Sequence, residues 1–216
     1  MTIRTIKSEA DIREGLDALE RADPVIAAVR AETGEVPLNW SEPGFAGLVQ
    51  IIMAQQLSKF AAEAIWRRLQ ARVRPMTLER VCRVREATLR GCGLSAAKVA
   101  TVRALAQALR QGRVDLDGFD GRPAEDIVGE LCQVKGIGPW TAELYLLFGI
   151  GHADIWPAGD LALQVAVGDA LKLEARPDAR AVAEIAARWR PWRGVAARLF
   201  WSYYRVRRGN RGGAPV

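Results

Sequence analysis

The loop Ala153-Asp-Ile-Trp-Pro-Ala-Gly-Asp160 ends on an acid that immediately precedes an apolar run beginning at Leu161. An Asp in that place reads as the N-cap of a helix, where free N–H groups and the helix dipole favour the ionised carboxylate. Taken alone, the pattern is that of a cap. A carboxylate fixed this way can also stabilise positive charge developing on a substrate, or orient and deprotonate a water. Few other groups compete for a catalytic role. The chain has one histidine, His152, and three scattered cysteines, Cys82, Cys92 and Cys132, with no Cys-x-x-Cys pair. That argues against Ser-His chemistry, zinc or iron–sulfur ligation and a disulfide framework. Carboxylates, backbone dipoles, aromatics and lysine remain. His152 is expected in a surface loop.

A second segment carries recognition. In Leu131-Cys-Gln-Val-Lys-Gly-Ile-Gly-Pro-Trp-Thr-Ala142 two glycines flank Ile137, with a helical pattern on either side. Gly136 and Gly138 allow a tight turn and a close backbone approach to a ligand, and Ile137 can plug the gap between the helices. A helix N-terminus that no side chain obstructs is an anion site, and DNA phosphate suits it.

The elements that must position these residues read as helical almost throughout. Ser8-Glu-Ala-Asp11 resembles a capping box, and Asp23-Pro24 starts a second helix. Apolar or amphipathic patterns cover 45–57, 59–73, 95–109, 124–132, 140–148, 160–171, 178–189 and 194–206, with short pieces at 77–81 and 86–89. No segment alternates like a strand and no repeat is visible. The expected class is all-α, two-lobed, with 1–44 and 156–216 in one lobe and 45–155 in the other.

The net charge of +6 suits a polyanionic partner, since neutralised phosphates release counterions. No apolar run approaches the roughly 18 residues of a membrane span, and the first residues lack a secretory pattern. The expectation is a cytoplasmic protein with no membrane partner.

Residues 131–142 resemble the helix-hairpin-helix DNA-binding motif, and the Pro/Gly loop ending in Asp160 resembles the loop that follows it in the HhH-GPD superfamily of DNA glycosylases. The resemblance covers about 45–204. It implies a two-lobed helical glycosylase fold, Asp160 as the catalytic carboxylate, damaged double-stranded DNA as partner and a monomer. It also implies a backbone site for Na+ or K+ at the carbonyls of Cys132, Val134 and Ile137, with phosphate contacts from Gly136, Gly138 and Thr141. Asp154 resembles a structural Asp of the family. Members with strand-cleaving activity carry a lysine where this chain has Trp140, so the resemblance implies a monofunctional enzyme. No cysteine follows Cys132, so the iron–sulfur loop of the endonuclease III branch is not expected.

Within the superfamily, Gly-Ile-Gly-Pro-Trp140-Thr-Ala is similar to the 3-methyladenine DNA glycosylase II branch. An aromatic face stacks well on an electron-poor alkylated purine; the alternative for Trp140 is a core residue. Ile51-Ile-Met-Ala-Gln-Gln-Leu-Ser58 places Gln55, Gln56 and Leu57 at the family's DNA wedge, with Gln56 the choice for insertion; the alternative is a plain helix end. Gly93-Leu-Ser-Ala-Ala-Lys98 resembles a second phosphate contact through Ser95 and Lys98, or a simple cap. Trp189-Arg-Pro-Trp-Arg-Gly194 is similar to a C-terminal motif in which Trp192 can line the base pocket and Arg193 can brace the lobe; Gly194 departs from the usual Ser or Thr. Leu144 and Leu161 complete the expected pocket, standing where some relatives have tyrosines. The expected function is excision of alkylated bases of the 3-methyladenine and 7-methylguanine type. A glycosylase for uracil, hypoxanthine or an oxidised base, and a non-catalytic damage binder, are the alternatives.

Overall fold

Residues 4–119 and 121–209 are described by a computed structural model. Among them the chain is helical, and the one extended pairing is an isolated antiparallel bridge between Thr5 and His152. Among the described residues no helix is long and apolar enough to cross a membrane. The chain divides into two compact units, one made of the residues up to Trp40 and from Leu146 onward, the other of Ser41–Tyr145.

The first unit holds α1 (Glu9–Ala22), α2 (Pro24–Thr33), α10 (Leu161–Ala170), α11 (Ala179–Ala186) and α12 (Arg193–Arg207). Its centre is α12, which packs on α10, α2 and α1. Ten consecutive residues of α12, Gly194 to Tyr203, are buried, as expected of a helix surrounded on all sides. The capping box at Ser8 forms with Asp11, and Asp23 caps α2 while accepting the Trp189 indole N–H at 2.9 Å. Trp189 stacks in turn with Trp156 and Phe200, at 5.2 and 4.8 Å between ring centroids. Arg198 is buried, and its guanidinium donates to three carbonyls, those of Leu38, Gly194 and Leu147. Burial pushes its pKa down to about 9.

The second unit holds α3 (Gly44–Ala54), α4 (Lys59–Arg72), α5 (Leu78–Arg83), α6 (Glu86–Gly91), α7 (Ala96–Arg110), α8 (Ala124–Cys132) and α9 (Pro139–Leu144). Here α3 is the apolar spine, with Leu48, Ile51 and Ile52 fully buried, and it packs on α4, α7 and α9. Ser58, Thr77 and Ser95 cap α4, α5 and α7.

The sequence pattern treats 140–148 as one helix. The structure ends the α-helical part at Leu144 and continues as a π-helical turn over Tyr145–Ile150. The chain also leaves the second unit at Tyr145 rather than near residue 155, as the sequence suggests. The reason is local hydrogen bonding: Ile6 N–H donates to Gly151 O at 2.6 Å, Ala153 N–H to Arg4 O at 3.0 Å, and Gly194 N–H to Ala153 O at 2.7 Å. These bonds tie 151–153 to the terminal segments.

Candidate active site

Asp160 caps α10. Its approach is a tight turn in which Asp160 N–H donates to Pro157 O at 2.9 Å and Ala158 N–H to Trp156 O at 2.8 Å. Gln164, one turn into α10, clamps the turn by donating to Ala158 O at 2.9 Å. Asp160 as a whole is 8 % exposed. Its Oδ1 accepts two N–H bonds, from the Leu163 amide and from the Trp201 indole, each at 3.1 Å. Trp201 is buried and packs on Phe148 at 5.6 Å between centroids. Only the fold brings Trp201, 41 positions along the chain, to Asp160.

Asp154, six residues earlier, forms a fork with Arg193: Nε to Oδ1 at 2.7 Å and Nη2 to Oδ2 at 2.9 Å, with Nη2 also reaching Asp154 O at 2.9 Å. This bidentate pair fixes the loop to the start of α12. His152 is 8 % exposed rather than a surface residue, and its Nδ1 accepts the Asp154 amide at 3.0 Å. A Cβ on Gly194 would stand 2.7 Å from Leu147 Cδ1 and 2.8 Å from Ala153 O, so this chain has no room for the hydroxyl that its motif usually carries there.

In the hairpin, α8 ends at Cys132 and Ile137 N–H donates to Val134 O at 3.0 Å. Ile137 is buried as a plug, together with Leu131 and Val134. Gly136 has φ +93°, and a Cβ there would lie 1.9 Å from Thr101 Oγ1, so glycine is required on two counts. Gly138 is the N-cap of α9, with nothing within 4 Å of where a Cβ would be. Pro139 follows and contributes no N–H. Trp140 is partly exposed in the first turn. Glu143, further along α9, is largely buried, and desolvation raises its pKa to about 7.

Several expected contacts are redirected. Thr141 is 3 % exposed and its hydroxyl accepts from Gln55 Nε2 at 2.8 Å, so it braces the hairpin instead of meeting phosphate. Gln55 is thereby turned inward from the wedge, leaving Gln56, exposed at φ +57°, and Leu57, 37 % exposed, at the tip. Lys98 donates to Met53 O at 2.6 Å and Gln55 O at 2.8 Å, and burial lowers its pKa. Ser95 is exposed and caps α7. Phe60, in the first turn of α4, is 78 % exposed and was not singled out by sequence.

Two of the four expected pocket residues, Leu144 and Trp192, are packed into the interior, and a third, Leu161, is exposed. Leu144 is fully buried in the second unit because it lies on the packed side of α9. Trp192 is 7 % exposed, seated where a Cβ on Gly15 of α1 would stand 2.7 Å from its ring, with Arg4 4.6 Å above it. Leu161 is the reverse, 57 % exposed on the first turn of α10. Trp140 keeps its candidacy.

Comparison with known proteins agrees with this geometry. The profile of the HhH-GPD superfamily of base excision DNA repair proteins matches residues 49–191. A probable bifunctional transcriptional activator/DNA repair enzyme AlkA of Mycobacterium tuberculosis is 34 % identical over 212 residues, covering 92 % of this chain and 41 % of that protein. The chain thus spans about two-fifths of that relative's length. DNA-3-methyladenine glycosylase 1 of Schizosaccharomyces pombe is 29 % identical over 166 residues, covering 71 % of this chain and 69 % of the relative. Among solved structures, a Schizosaccharomyces pombe 3-methyladenine DNA glycosylase in complex with abasic DNA superposes with a TM-score of 0.79 at 25 % identity, covering 89 % of this chain and 95 % of that one. A DNA-3-methyladenine glycosidase from Bacillus halodurans gives 0.75 at 26 % identity, covering 95 % and 93 %.

Proposed function

Because this chain belongs to the HhH-GPD superfamily of base excision DNA repair proteins, we propose that it is a monofunctional DNA glycosylase that removes alkylated purines by hydrolysis of the N-glycosidic bond. The observation that carries the proposal is Asp160, buried at the N-terminus of α10 with two N–H donors on one oxygen. Both donors fix the orientation of the carboxyl group. As the glycosidic bond breaks, its electron pair leaves with the base and positive charge builds on the sugar. Asp160 stabilises that charge and takes a proton from the water that adds to the sugar carbon.

An alkylated purine is a good leaving group, and where it is cationic it departs neutral, so little acid assistance is needed. By the resemblance of its motif, Trp140 is the residue expected to stack on such a base, and its side chain carries no amine for a Schiff base. The relatives named for 3-methyladenine favour this lesion class. Gly138, with open space where a Cβ would stand, lets the hairpin backbone approach a phosphate, and the excess of basic residues adds long-range attraction. The carbonyls of Cys132, Val134 and Ile137 are hard oxygen donors that suit Na+ or K+. Val134 O accepts one amide and keeps a second lone pair for such an ion, which would offset phosphate charge at the hairpin.

The direct test is release of base. Methylated duplex DNA should yield free 3-methyladenine and 7-methylguanine and leave alkali-labile abasic sites. Intact methylated DNA after incubation with stoichiometric protein would contradict the proposal.

A further inference from the structure

The tip formed by Gln56 and Leu57 follows the end of α3, where helix carbonyls lack helical partners. Lys98, reaching over from α7, donates to two of them, Met53 O at 2.6 Å and Gln55 O at 2.8 Å. An ammonium in that place also meets the favourable end of the helix dipole. The Gln55 side chain runs the other way, from the tip to the hairpin, and donates to Thr141 Oγ1 at 2.8 Å. It lies 3.5 Å from Gly136 O, a weaker contact. Thr101, one turn after Lys98 on α7, fills the space beside Gly136. Three segments far apart in sequence, 53–57, 98–101 and 136–141, are thus bonded within one unit, beside the exposed Gln56 and Leu57. Gln56 itself holds φ +57°, a left-handed conformation that a non-glycine residue keeps only where neighbours impose it.

We propose that Gln55 and Lys98 are positioning residues that hold the Gln56–Leu57 tip in fixed register with the hairpin, so that gripping the DNA backbone and inserting the tip into the base stack occur as one rigid step. The assignment rests on the glycosylase reading above. Neither residue needs to touch DNA. Lys98 sets the carbonyl just before Gln56, and Gln55 ties the same turn to the hairpin segment 136–141. A tip freed from that register would still leave the hairpin able to hold phosphate, but would fill the stack poorly and let the extruded nucleotide return. Misplacement of about 1 Å by a residue remote from the chemistry can cost about a hundredfold in rate.

The experiment uses the full chain with Gln55→Leu, Lys98→Met and the conservative Lys98→Arg. The fluorescent base analogue 2-aminopurine is incorporated beside an abasic-site analogue in duplex DNA, where tip insertion changes its stacking without any excision. Gln55→Leu and Lys98→Met should bind undamaged duplex within about twofold of wild type, lose most of the fluorescence change, and excise alkylated bases from duplex about tenfold or more slowly. On a lesion carried by a single strand, which needs no insertion, the loss should shrink to about twofold. Lys98→Arg, which keeps a donor for the carbonyls, should retain most of the fluorescence change. An unaltered fluorescence change in Gln55→Leu, or equal losses on duplex and single strand, would overturn the assignment. If Lys98→Met fails to fold, Gln55→Leu alone decides. A wild type that shows the fluorescence change but excises nothing would refute the glycosylase reading and leave the coupling standing.

Discussion

The indole N–H of Trp201 donates to Oδ1 of Asp160 at 3.1 Å, the same oxygen that receives the Leu163 amide. One α12 side chain therefore sets both the orientation of the carboxylate and part of its charge stabilisation. Trp201→Phe keeps the aromatic packing on Phe148 and removes the donor. A hydrogen bond to a charged group contributes about 1.5–3 kcal/mol, so excision under single-turnover conditions should slow by about tenfold or more. Binding to an abasic-site duplex should be unchanged. A variant as fast as wild type would show that the Leu163 amide alone suffices.

The two hairpin glycines should respond differently to a methyl group. Gly136→Ala meets both φ +93° and the Thr101 hydroxyl, and should lower unfolding free energy by about 2–5 kcal/mol in a denaturant titration. Gly138→Ala has open space and an ordinary φ of −101°. It should leave stability within about 0.5 kcal/mol of wild type, while weakening DNA binding because the added methyl group obstructs the approach of the phosphate. Undiminished DNA affinity in Gly138→Ala would remove the hairpin from the interface.

The helical class, the capping residues Ser8, Asp23 and Ser95, and the glycine hairpin were legible because each depends on neighbours within four residues in sequence. Asp160 was legible for the same reason: it is a local cap after a Pro/Gly loop. The pocket was not. Leu144, Trp192 and Leu161 differ in burial because of which helix face each occupies in the packed units, a long-range property that spacing does not encode. Gln55 and Lys98 looked like DNA contacts because polar residues at helix ends are normally solvated. Their partners, Thr141 and the carbonyls of 53 and 55, lie 43 to 86 residues away. Trp201 was missed because its N–H partner is visible only once α10 and α12 pack.

Glu143 gives the fold a pH dependence. Burial raises its pKa from 4.5 to about 7, so the folded chain holds a proton that the unfolded chain has released. The folded state therefore binds more protons between those two values, and stability from this group falls as pH rises through that window. Glu143→Gln should be more stable than wild type at pH 8, by up to about 3 kcal/mol, and close to it at pH 4.5. Denaturant midpoints at the two pH values measure this. An equal difference at both would place the carboxylate in water.

The resemblance of residues 131–142 to the family motif implies that Trp140 stands where strand-cleaving members carry a lysine. Borohydride added during turnover should trap no covalent protein–DNA complex, and abasic product strands should stay intact until treated with alkali. A trapped adduct on denaturing gels would assign lyase chemistry to another amine of this chain.

The central claim is that Asp160 drives base release. Methylated duplex DNA incubated with wild type and with Asp160→Asn, followed by quantitation of free 3-methyladenine and 7-methylguanine, tests it most directly. Wild type should release both bases. Asp160→Asn should release them at least about a hundredfold more slowly while binding an abasic-site duplex as tightly as wild type. Equal release by the two proteins would contradict the assignment of Asp160, and no release by either, with binding intact, would contradict alkylbase excision itself.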